Sequence, residues 1–414
     1  MRILPCLSVF IFGMSVLQIL IPQVPWAAQS YTIQELGVVD AIRAAGPNGS
    51  GTVAVRSGFV AATSSRISPG GRADKLGILA NGLNDLGDVV DSATSSRMAP
   101  GGAADNRGIL ASGDYASANG INDAGDVVGS ANTMFGSRPC REDIPGLVVD
   151  DLPGIEKPFK APPPGNCPIS TVRAVLWKNN GGFKYLRTLP GDSASEAFAI
   201  NNQGTVVGYS SGPKGVHAVA WAPDGGKADN LGTLPGGNTS KAFGISDTGL
   251  IVGSSRGPVG TRAVLWKGNR IQDIGTLPGD MASEAHGVNS NGSIVGDSHG
   301  PNGMRAFVWT SGNGMKALPA LPGGTSASAL AISELGEIAG SAEGISGLRA
   351  VLWSNTHEPQ DLNTLVSLPP GMVLMQAVGI NTLGQIVALG RDQKNIHANH
   401  EGPSRVFLLT RGGP

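Results

Sequence analysis

The 414-residue chain lacks several features that would indicate a common class of function. Its 30 Lys and Arg residues are balanced by 31 Asp and Glu residues, so it has no basic excess for binding nucleic acid and no acidic tail. The metal-protease pattern H-E-x-x-H and the redox pattern C-x-x-C are absent from the sequence. We therefore expect no catalytic residues, no metal, no cofactor and no nucleic-acid partner.

Charge is also missing from the N-terminus, where Arg2 is followed by no charged residue before Glu35. The stretch Leu7–Ile21 is strongly apolar, and small residues follow at Ala27 and Ala28. This order predicts a signal peptide over residues 1–28 and an exported protein, extracellular or periplasmic. The uncharged stretch is also long enough for an uncleaved membrane anchor, the alternative in which the chain contacts a membrane.

Cysteine is scarce, with three residues in the whole chain. Cys6 lies in the predicted signal peptide, and Cys140 and Cys167 lie in a segment rich in Pro and Gly, residues 132–171. An even number of cysteines in an exported chain predicts a disulfide between Cys140 and Cys167, with two free thiols as the alternative.

What the sequence does contain is a repeat of about 44 residues. Five tryptophans end the similar strings RAVLW, HAVAW, RAVLW, RAFVW and RAVLW, at Trp177, Trp221, Trp266, Trp309 and Trp353. A fixed period of this length indicates one supersecondary unit copied along the chain, each copy too small to bury its own apolar face.

One unit, from Ile271 to Trp309, contains four short apolar runs separated by Pro-Gly, Asn-Gly and Gly-Pro-Asn-Gly. These dipeptides are typical of β-turns. Four strands in about 44 residues predict one blade of a β-propeller, so residues 29–414 are expected to form a single all-β propeller domain. A parallel β-helix would need two coils for each repeat.

The string before each tryptophan predicts a strand that is covered on both faces. In the copy that ends at Trp266, Arg262 and Val264 share one face with the tryptophan, and Ala263 and Leu265 share the other. Apolar residues on both faces indicate a strand between two neighbouring units. We expect each tryptophan to pack against the next unit.

The two ends of the chain predict a closed ring. Tyr31–Gly37 matches the outermost strand of a unit, and Arg405–Leu409 matches the strand that precedes it. The last unit therefore lacks a fourth strand that the N-terminus can supply. Pairing these strands would close the ring without leaving a free edge.

The number of units is set by a hairpin string such as INNQGTVVG at Ile200. Six clear copies, one weak copy at Leu83 and the weakest at Pro47 predict seven or eight blades. By this pattern, residues 31–131 hold irregular repeats, residues 132–171 are an insertion, and residues 172–410 hold regular repeats.

These strings together resemble the HAF-type extracellular repeat family of bacterial exported proteins. The matching elements are INNQGTVVG, HAVAW at His217–Trp221 and LGTLPGG at Leu231–Gly237. The resemblance covers about residues 118–410 and implies export and repetition, but no activity. It also shows a difference, because most copies here have Arg where the family has its first His.

One repeated position carries the candidate binding residues, because a cation precedes the alanine of each third strand. The residues at this position are Arg173, His217, Arg262, Arg305, Arg349 and Arg405. Ring symmetry would place them at one level as a collar for anions such as acidic sugars. The alternative is that each cation binds the carboxylates or turn carbonyls of its own unit, for which Glu196 and Glu284 are candidates.

The repetition favours a non-enzymatic binding or scaffolding protein, with a polysaccharide or a cell-surface protein as its partner. Chemistry usually needs unlike residues that converge, whereas a repeat supplies like ones. The alternative function is a carbohydrate-active enzyme, hydrolase or lyase, on the same scaffold. Such an enzyme would contain a cluster of acids or histidines that breaks the symmetry, and the irregular residues 31–171 are where we would expect that cluster.

Overall fold

A computed structural model describes the regular part of the chain and short pieces of its first third. The described residues are 30–39, 43–44, 55–56, 64–66, 74–76, 80–83, 89–91, 97–98, 104–105, 116–139, 166–178, 182–268, 270–354, 357–396 and 404–412. In these ranges the chain is almost entirely β-structure, with one 3₁₀ turn at Leu362–Thr364 and one short helix, α1, at Gln393–Ile396. Neither helix has the length and apolar character needed to cross a membrane.

Six regular four-stranded antiparallel sheets follow one another along the chain. In sheets 1 to 5 the strands pair in the order in which they occur, so the first strand lies at one edge and the fourth at the other. Sheet 1 contains β10 (Ala116–Ile121), β11 (Val127–Pro139), β12 (Asn166–Trp177) and β13 (Phe183–Tyr185). Sheet 2 contains β14 (Ala194–Ile200), β15 (Val206–Gly212), β16 (Gly215–Trp221) and β17 (Ala228–Asn230). Sheet 3 contains β18 (Ser240–Ile245), β19 (Ile251–Gly257), β20 (Gly260–Lys267) and β21 (Arg270–Gly275).

The last three regular sheets continue this pattern, except that the fourth strand of sheet 6 comes from the N-terminus. Sheet 4 contains β22 (Ala282–Val288), β23 (Ile294–Gly300), β24 (Gly303–Thr310) and β25 (Gly314–Ala317). Sheet 5 contains β26 (Ala327–Ile332), β27 (Ile338–Gly344), β28 (Gly347–Trp353) and β29 (Pro359–Asp361). Sheet 6 contains β30 (Met372–Ile380), β31 (Ile386–Asp392), β32 (Ser404–Arg411) and β1 (Tyr31–Val39).

The described strands between residues 43 and 105 are much shorter. A short sheet pairs β6 (Ala80–Leu83), β7 (Val89–Asp91), β8 (Arg97–Met98) and β9 (Ala104–Asp105) in chain order. Two further pairs join β2 (Arg43–Ala44) to β3 (Val55–Arg56), and β4 (Ser64–Arg66) to β5 (Asp74–Leu76).

Consecutive sheets pack face to face through small apolar cores. The core between sheets 1 and 2, for example, joins Ala174 and Leu176 to Ala197, Val219 and Trp221. The first strand of each regular sheet also contacts the first strand of the next, so the first strands form the inner side of the stack. Four-stranded antiparallel sheets stacked in this way have the character of a β-propeller, as the repeat predicts.

The third strand of each sheet is covered on both faces, which confirms the prediction from its apolar pattern. The direction predicted for the tryptophans is wrong, however. Trp221 of sheet 2 packs against Leu176 of sheet 1, and its indole nitrogen donates a 2.7 Å hydrogen bond to the carbonyl oxygen of Arg187. Trp221, Trp266, Trp309 and Trp353 each face the preceding sheet. The alanine three residues before the tryptophan faces the following sheet, as Ala218 does. The sequence predicts the alternation but cannot tell which face meets which neighbour.

The N-terminal strand β1 pairs antiparallel with β32, as the match between the chain ends predicts. Tyr31 is 5% exposed, and the Arg405 guanidinium lies 3.1 Å from a Glu35 carboxylate oxygen. Arg411 donates to the Tyr31 hydroxyl and, at 2.6 Å, to Glu337 of sheet 5. The N-terminal strand is therefore fixed by both its own sheet and its neighbour.

The ends of the insertion continue the strands of sheet 1. Residues 132–139 of β11 pair with residues 166–172 of β12, so the segment begins and ends as a two-stranded ribbon. Cys140 lies outside the described residues, and of Cys167 only the backbone is described. The disulfide therefore remains a prediction.

Candidate functional site

The six predicted cations occupy one register position, two strands away from the inner side of each sheet. Adjacent strands lie about 4.8 Å apart, so these residues sit about 10 Å farther out than the first strands. For cations on different sheets to meet one ligand, that ligand would have to span the inner strands between them. The geometry therefore favours separate sites over one continuous collar.

Several of these cations bind groups of the loops that connect their sheets. Arg305 forms an ion pair with the buried Asp280 at 2.8 Å and donates a hydrogen bond to the Pro278 carbonyl oxygen. Arg262 donates to the Thr276 hydroxyl at 3.1 Å. Loops that connect consecutive sheets thus hold these two cations. Of the predicted carboxylate partners, Glu196 accepts hydrogen bonds from Asn119 and Tyr209, and the charge of Glu284 acts on His286.

The remaining positions differ from one another. Arg405 binds Glu35 on β1, and Arg349 donates to the neighbouring Leu348 carbonyl oxygen at 2.8 Å. The Nδ1 atom of His217 is buried and has no hydrogen-bond partner among the described residues. One repeated position therefore serves unlike local roles.

Arg173 differs from the others because it borders a pocket of about 380 Å³. The pocket is lined by Arg173, Arg187, Thr188, Leu189, Pro190, Gly191, Lys227 and Ala228. Burial lowers the pKa of the Arg173 guanidinium, which donates to the Thr188 hydroxyl at 3.4 Å. Among the described residues, the lining has three cationic side chains and no carboxylate, and Asp229 lies beside it at 3.3 Å from Lys227. An anionic group fits this environment.

A second cavity, of about 270 Å³, lies where the first strands of the six regular sheets end. An apolar ring borders it, with the same repeat position contributed by each sheet: Ile121, Ile200, Ile245, Val288, Ile332 and Ile380. The polar turn residues that follow line the mouth. Six sheets thus converge on one cavity, which places their first strands around a common space.

Side chains of these turns form hydrogen bonds from sheet to sheet around the mouth. The Asn122 amide donates to the Asn201 carbonyl oxygen, and the Asn201 amide donates to the Ser246 carbonyl oxygen, both at 3.1 Å. The backbone nitrogens of Asp123 and Asn202 donate to the side chain one sheet further on. This network explains the asparagine of the repeated hairpin string. It also supports the turn interpretation of that string, since Gly125 has a φ of 79°.

The pattern G-x-S-x-G, which is typical of hydrolases, occurs three times in the chain, around Ser210, Ser255 and Ser298. A nucleophilic serine of this kind lies on a sharp turn between a strand and a helix. These three lie within second strands, and each accepts a hydrogen bond from the backbone of a connecting loop, as Ser298 does from Leu277 at 3.0 Å. Their role is to join sheets.

We call the space between the first strands of the six regular sheets the channel. The first strands of sheets 2, 3 and 4 carry unlike residues at the position that follows the buried alanine. Each strand has a β-bulge, and the bulged residue is Phe198, Phe243 or His286. The Phe198 and Phe243 rings lie 5.5 Å apart, and the Phe243 and His286 rings 6.1 Å apart. A bulge turns a side chain out of the strand's alternation, so these three rings form a row across three sheets.

His286 belongs to a hydrogen-bonded cluster that links sheets 4 and 5. Its Nε2 atom lies 3.0 Å from Asp297, which also accepts hydrogen bonds from the Ser328 hydroxyl and the Ala329 backbone. Burial lowers the pKa of His286, but the hydrogen bond to Asp297 and the charges of Asp297 and Glu284 raise it more, so that the pKa lies above its usual value. The repeat does not predict this cluster, because His286 and Asp297 stand at positions that hold other residues in the other repeats.

No group of three or more metal-binding side chains is present in the described part of the chain. No family model and no curated protein sequence matches the chain. Solved structures with similar coordinates include the Dos1 propeller, which is 10% identical with a TM-score of 0.45, over 92% of this chain and 95% of that one. TolB from Acinetobacter baumannii is 13% identical with a TM-score of 0.35, over 58% of this chain and 60% of that one.

Porphyromonas gingivalis dipeptidyl peptidase 4 is 9% identical with a TM-score of 0.42, over 75% of this chain. This chain spans half of the peptidase's length. These likenesses are distant, and nothing about the activity of this chain follows from them.

Proposed function

We propose that the chain is an exported, non-enzymatic β-propeller that binds an acidic polysaccharide. The observation that carries this proposal is the Arg173 pocket of about 380 Å³, to which the described residues contribute the three cations Arg173, Arg187 and Lys227. A guanidinium forms paired, charge-assisted hydrogen bonds with a carboxylate, which is the group that a uronic acid presents. Export and membership in the HAF-type repeat family rest on the sequence.

We further propose a closed ring of eight positions as the scaffold. Support comes from backbone contacts in the first third: β2 contacts β30 of sheet 6, β3 contacts β6, and β6 contacts β10 of sheet 1. In this arrangement the pair β2–β3 fills the position between sheet 6 and the short sheet. The eight hairpin strings of the sequence agree with that number.

Native affinity electrophoresis tests the binding proposal. The purified chain is run through gels that contain polygalacturonate, alginate or neutral dextran. We expect retardation in the acidic gels and none in dextran. A variant with Arg173→Gln, Arg187→Gln and Lys227→Gln should lose the retardation, because each charge-assisted hydrogen bond contributes about 1.5–3 kcal/mol.

The matched control is Arg349→Gln, at the same repeat position but outside the pocket. This variant should migrate like the parent chain in every gel. Equal retardation of the triple variant and the parent would overturn the proposal, as would retardation by dextran equal to that by alginate.

A carbohydrate-active enzyme on the same ring is the second candidate function. It is favoured by the unlike residues of the inner wall, where His286 and Asp297 break the repeat. Release of reducing ends from a soluble polysaccharide would identify this function, and its loss in Asp297→Asn but not in the triple variant would assign it to the wall.

A further inference from the structure

The first strands of sheets 2 to 4 alternate between residues that meet the neighbouring sheet and residues that water reaches. Ala197, Ala242 and Ala285 are 0% exposed. The residues before and after each alanine are half-buried, and they are Glu196, Phe198, Lys241, Phe243, Glu284 and His286. The alternate side chains lie on the other face of each first strand, and each keeps a part that water reaches.

Polar groups on this wall have hydrogen-bonding capacity that the described residues do not use. Lys241 places its ammonium 5.0 Å from the centre of the Tyr209 ring and forms no hydrogen bond with any of them. The Glu284 carboxylate accepts none from them either. His286 uses Nε2 for Asp297, its side chain is 25% exposed, and its Nδ1 atom has no hydrogen-bond partner within the same part of the chain.

These groups lie on the same two inner strands as the row of rings. Lys241 and Phe243 are two residues apart on β18, and Glu284 and His286 are two residues apart on β22, the next inner strand. The Phe243 ring lies between the Phe198 and His286 rings. The equivalent bulges of sheets 1, 5 and 6 carry Asn119, Leu330 and Val378, so among the six regular sheets the aromatic rings at this position are confined to sheets 2 to 4.

We infer that the channel wall formed by Lys241, Phe243, Glu284 and His286 binds a pyranose ring. A pyranose presents an apolar face of C–H groups that packs on an aromatic side chain. Its edge carries hydroxyls, each of which donates and accepts hydrogen bonds. The wall supplies a donor at Lys241, an acceptor at Glu284 and a ring nitrogen at His286 around the Phe243 face, which matches both features.

This site is distinct from the Arg173 pocket. Arg173 lies on the third strand of sheet 1, whereas the wall belongs to the first strands of sheets 3 and 4. Either site can therefore be absent without the other. A polysaccharide bound at both sites would place an acidic unit in the Arg173 pocket and a sugar ring against the channel wall.

Saturation-transfer NMR on the full chain tests the inference with four probes: the methyl pyranosides of glucose, galactose, mannose and N-acetylglucosamine. We expect at least one probe to receive saturation with a Kd of about 1 mM, the scale of a few hydrogen bonds and one stacking contact. L-Phenylalanine is the competing probe, because a zwitterion with an aromatic ring also matches opposite charges beside Phe243. Binding of phenylalanine without any pyranoside would overturn the inference.

Glu284→Gln and Lys241→Gln are the test variants, and both should fold because neither side chain forms a hydrogen bond with the described residues. Each should raise the Kd by about tenfold, the loss of one charged hydrogen bond. Glu343→Gln removes the same charge at an exposed position of β27 and should leave the Kd unchanged. Saturation of no pyranoside, or equal affinity in the test variants, would overturn the inference. The Arg173 triple variant should keep pyranoside binding, so failure here differs from failure of the proposed function.

Discussion

The third strands and the first strands of the same sheets differ in how strictly they repeat. Trp221, Trp266 and Trp353 end nearly identical strings and are at most 1% exposed. On the first strands, the channel-side position holds Glu196, Lys241 or Glu284 in successive sheets. A side chain packed between two sheets must fit a fixed space, whereas one that faces a channel is free to vary. The difference indicates that the repeat preserves the packed scaffold and leaves the side chains of the first strands free to differ from sheet to sheet.

The N-terminal strand tests how far the scaffold depends on completing its last sheet. Deleting residues 30–39 leaves sheet 6 with three strands, an uncovered edge on β32, and Arg411 without Tyr31. We expect the free energy of unfolding to fall by several kcal/mol. That is a large part of the roughly 5–15 kcal/mol that stabilises a typical native protein. Urea unfolding measures this loss.

The control for that deletion is Glu35→Gln, which removes the Arg405 ion pair and keeps the strand. It should cost less than about 1 kcal/mol, because the pair is partly exposed. Similar midpoints for the deletion and the parent chain would show that β1 is dispensable.

The substitution Trp353→Ala tests the packing between consecutive sheets. The ring is fully buried between sheets 4 and 5, and its nitrogen donates to the Pro319 carbonyl oxygen at 2.9 Å. Loss of the ring should cost about 3–5 kcal/mol in urea unfolding. Leu348→Ala, on the same strand but 39% exposed, should change stability by about 0.5 kcal/mol or less. Equal losses of stability in the two variants would contradict the conclusion that Trp353 is packed between sheets.

The hydrogen bonds around the cavity mouth should contribute less. Asn201→Ala removes the donor to Ser246 and the acceptor of the Thr205 backbone nitrogen. We expect a cost of about 1–3 kcal/mol, because the buried Ser246 carbonyl and the half-buried Thr205 N–H each lose a partner. Asn291→Ala removes only an exposed 3.5 Å contact to Glu334 and should be nearly neutral by the same measurement. A neutral Asn201 variant would argue that water replaces the amide.

The smallest expected effect is the pH dependence that His286 confers. Its pKa is raised in the folded chain by Asp297 and Glu284, against the opposing effect of burial. The resulting stabilisation is present below the unfolded-state pKa of about 6.5 and is lost as the pH rises through the folded pKa. The difference in Tm between the parent and His286→Gln should therefore shrink from about pH 6 to about pH 8. A constant difference would mean that the ring is not protonated in this range.

Much of the scaffold could be predicted because its rules are local. Turn dipeptides, alternating apolar residues and a 44-residue period predict four short strands for each unit, and the matching chain ends predict the β1–β32 pair. The direction of each tryptophan was missed, because alternation in a strand is the same whichever neighbour a face meets. The expectation of unlike residues in residues 31–171 stays a prediction, because most of that segment lies outside the described residues. The cluster of His286, Asp297 and Ser328, which joins sheets 4 and 5, could not be predicted from the repeat.

The sequence by itself determined the class of fold, the length of the unit and the pairing of its two ends, since each follows from spacing along one strand or one turn. Only the tertiary structure decided which side chains meet. Asp297 of sheet 4 accepts a hydrogen bond from Ser328 of sheet 5, and Arg305 rather than Arg262 pairs with Asp280. Such contacts depend on how sheets stack and where bulges turn a side chain, and neither leaves a periodic signal. The repeat therefore predicts the scaffold. The contacts of residues that differ between repeats, such as His286 and Asp297, follow only from the packing of the sheets.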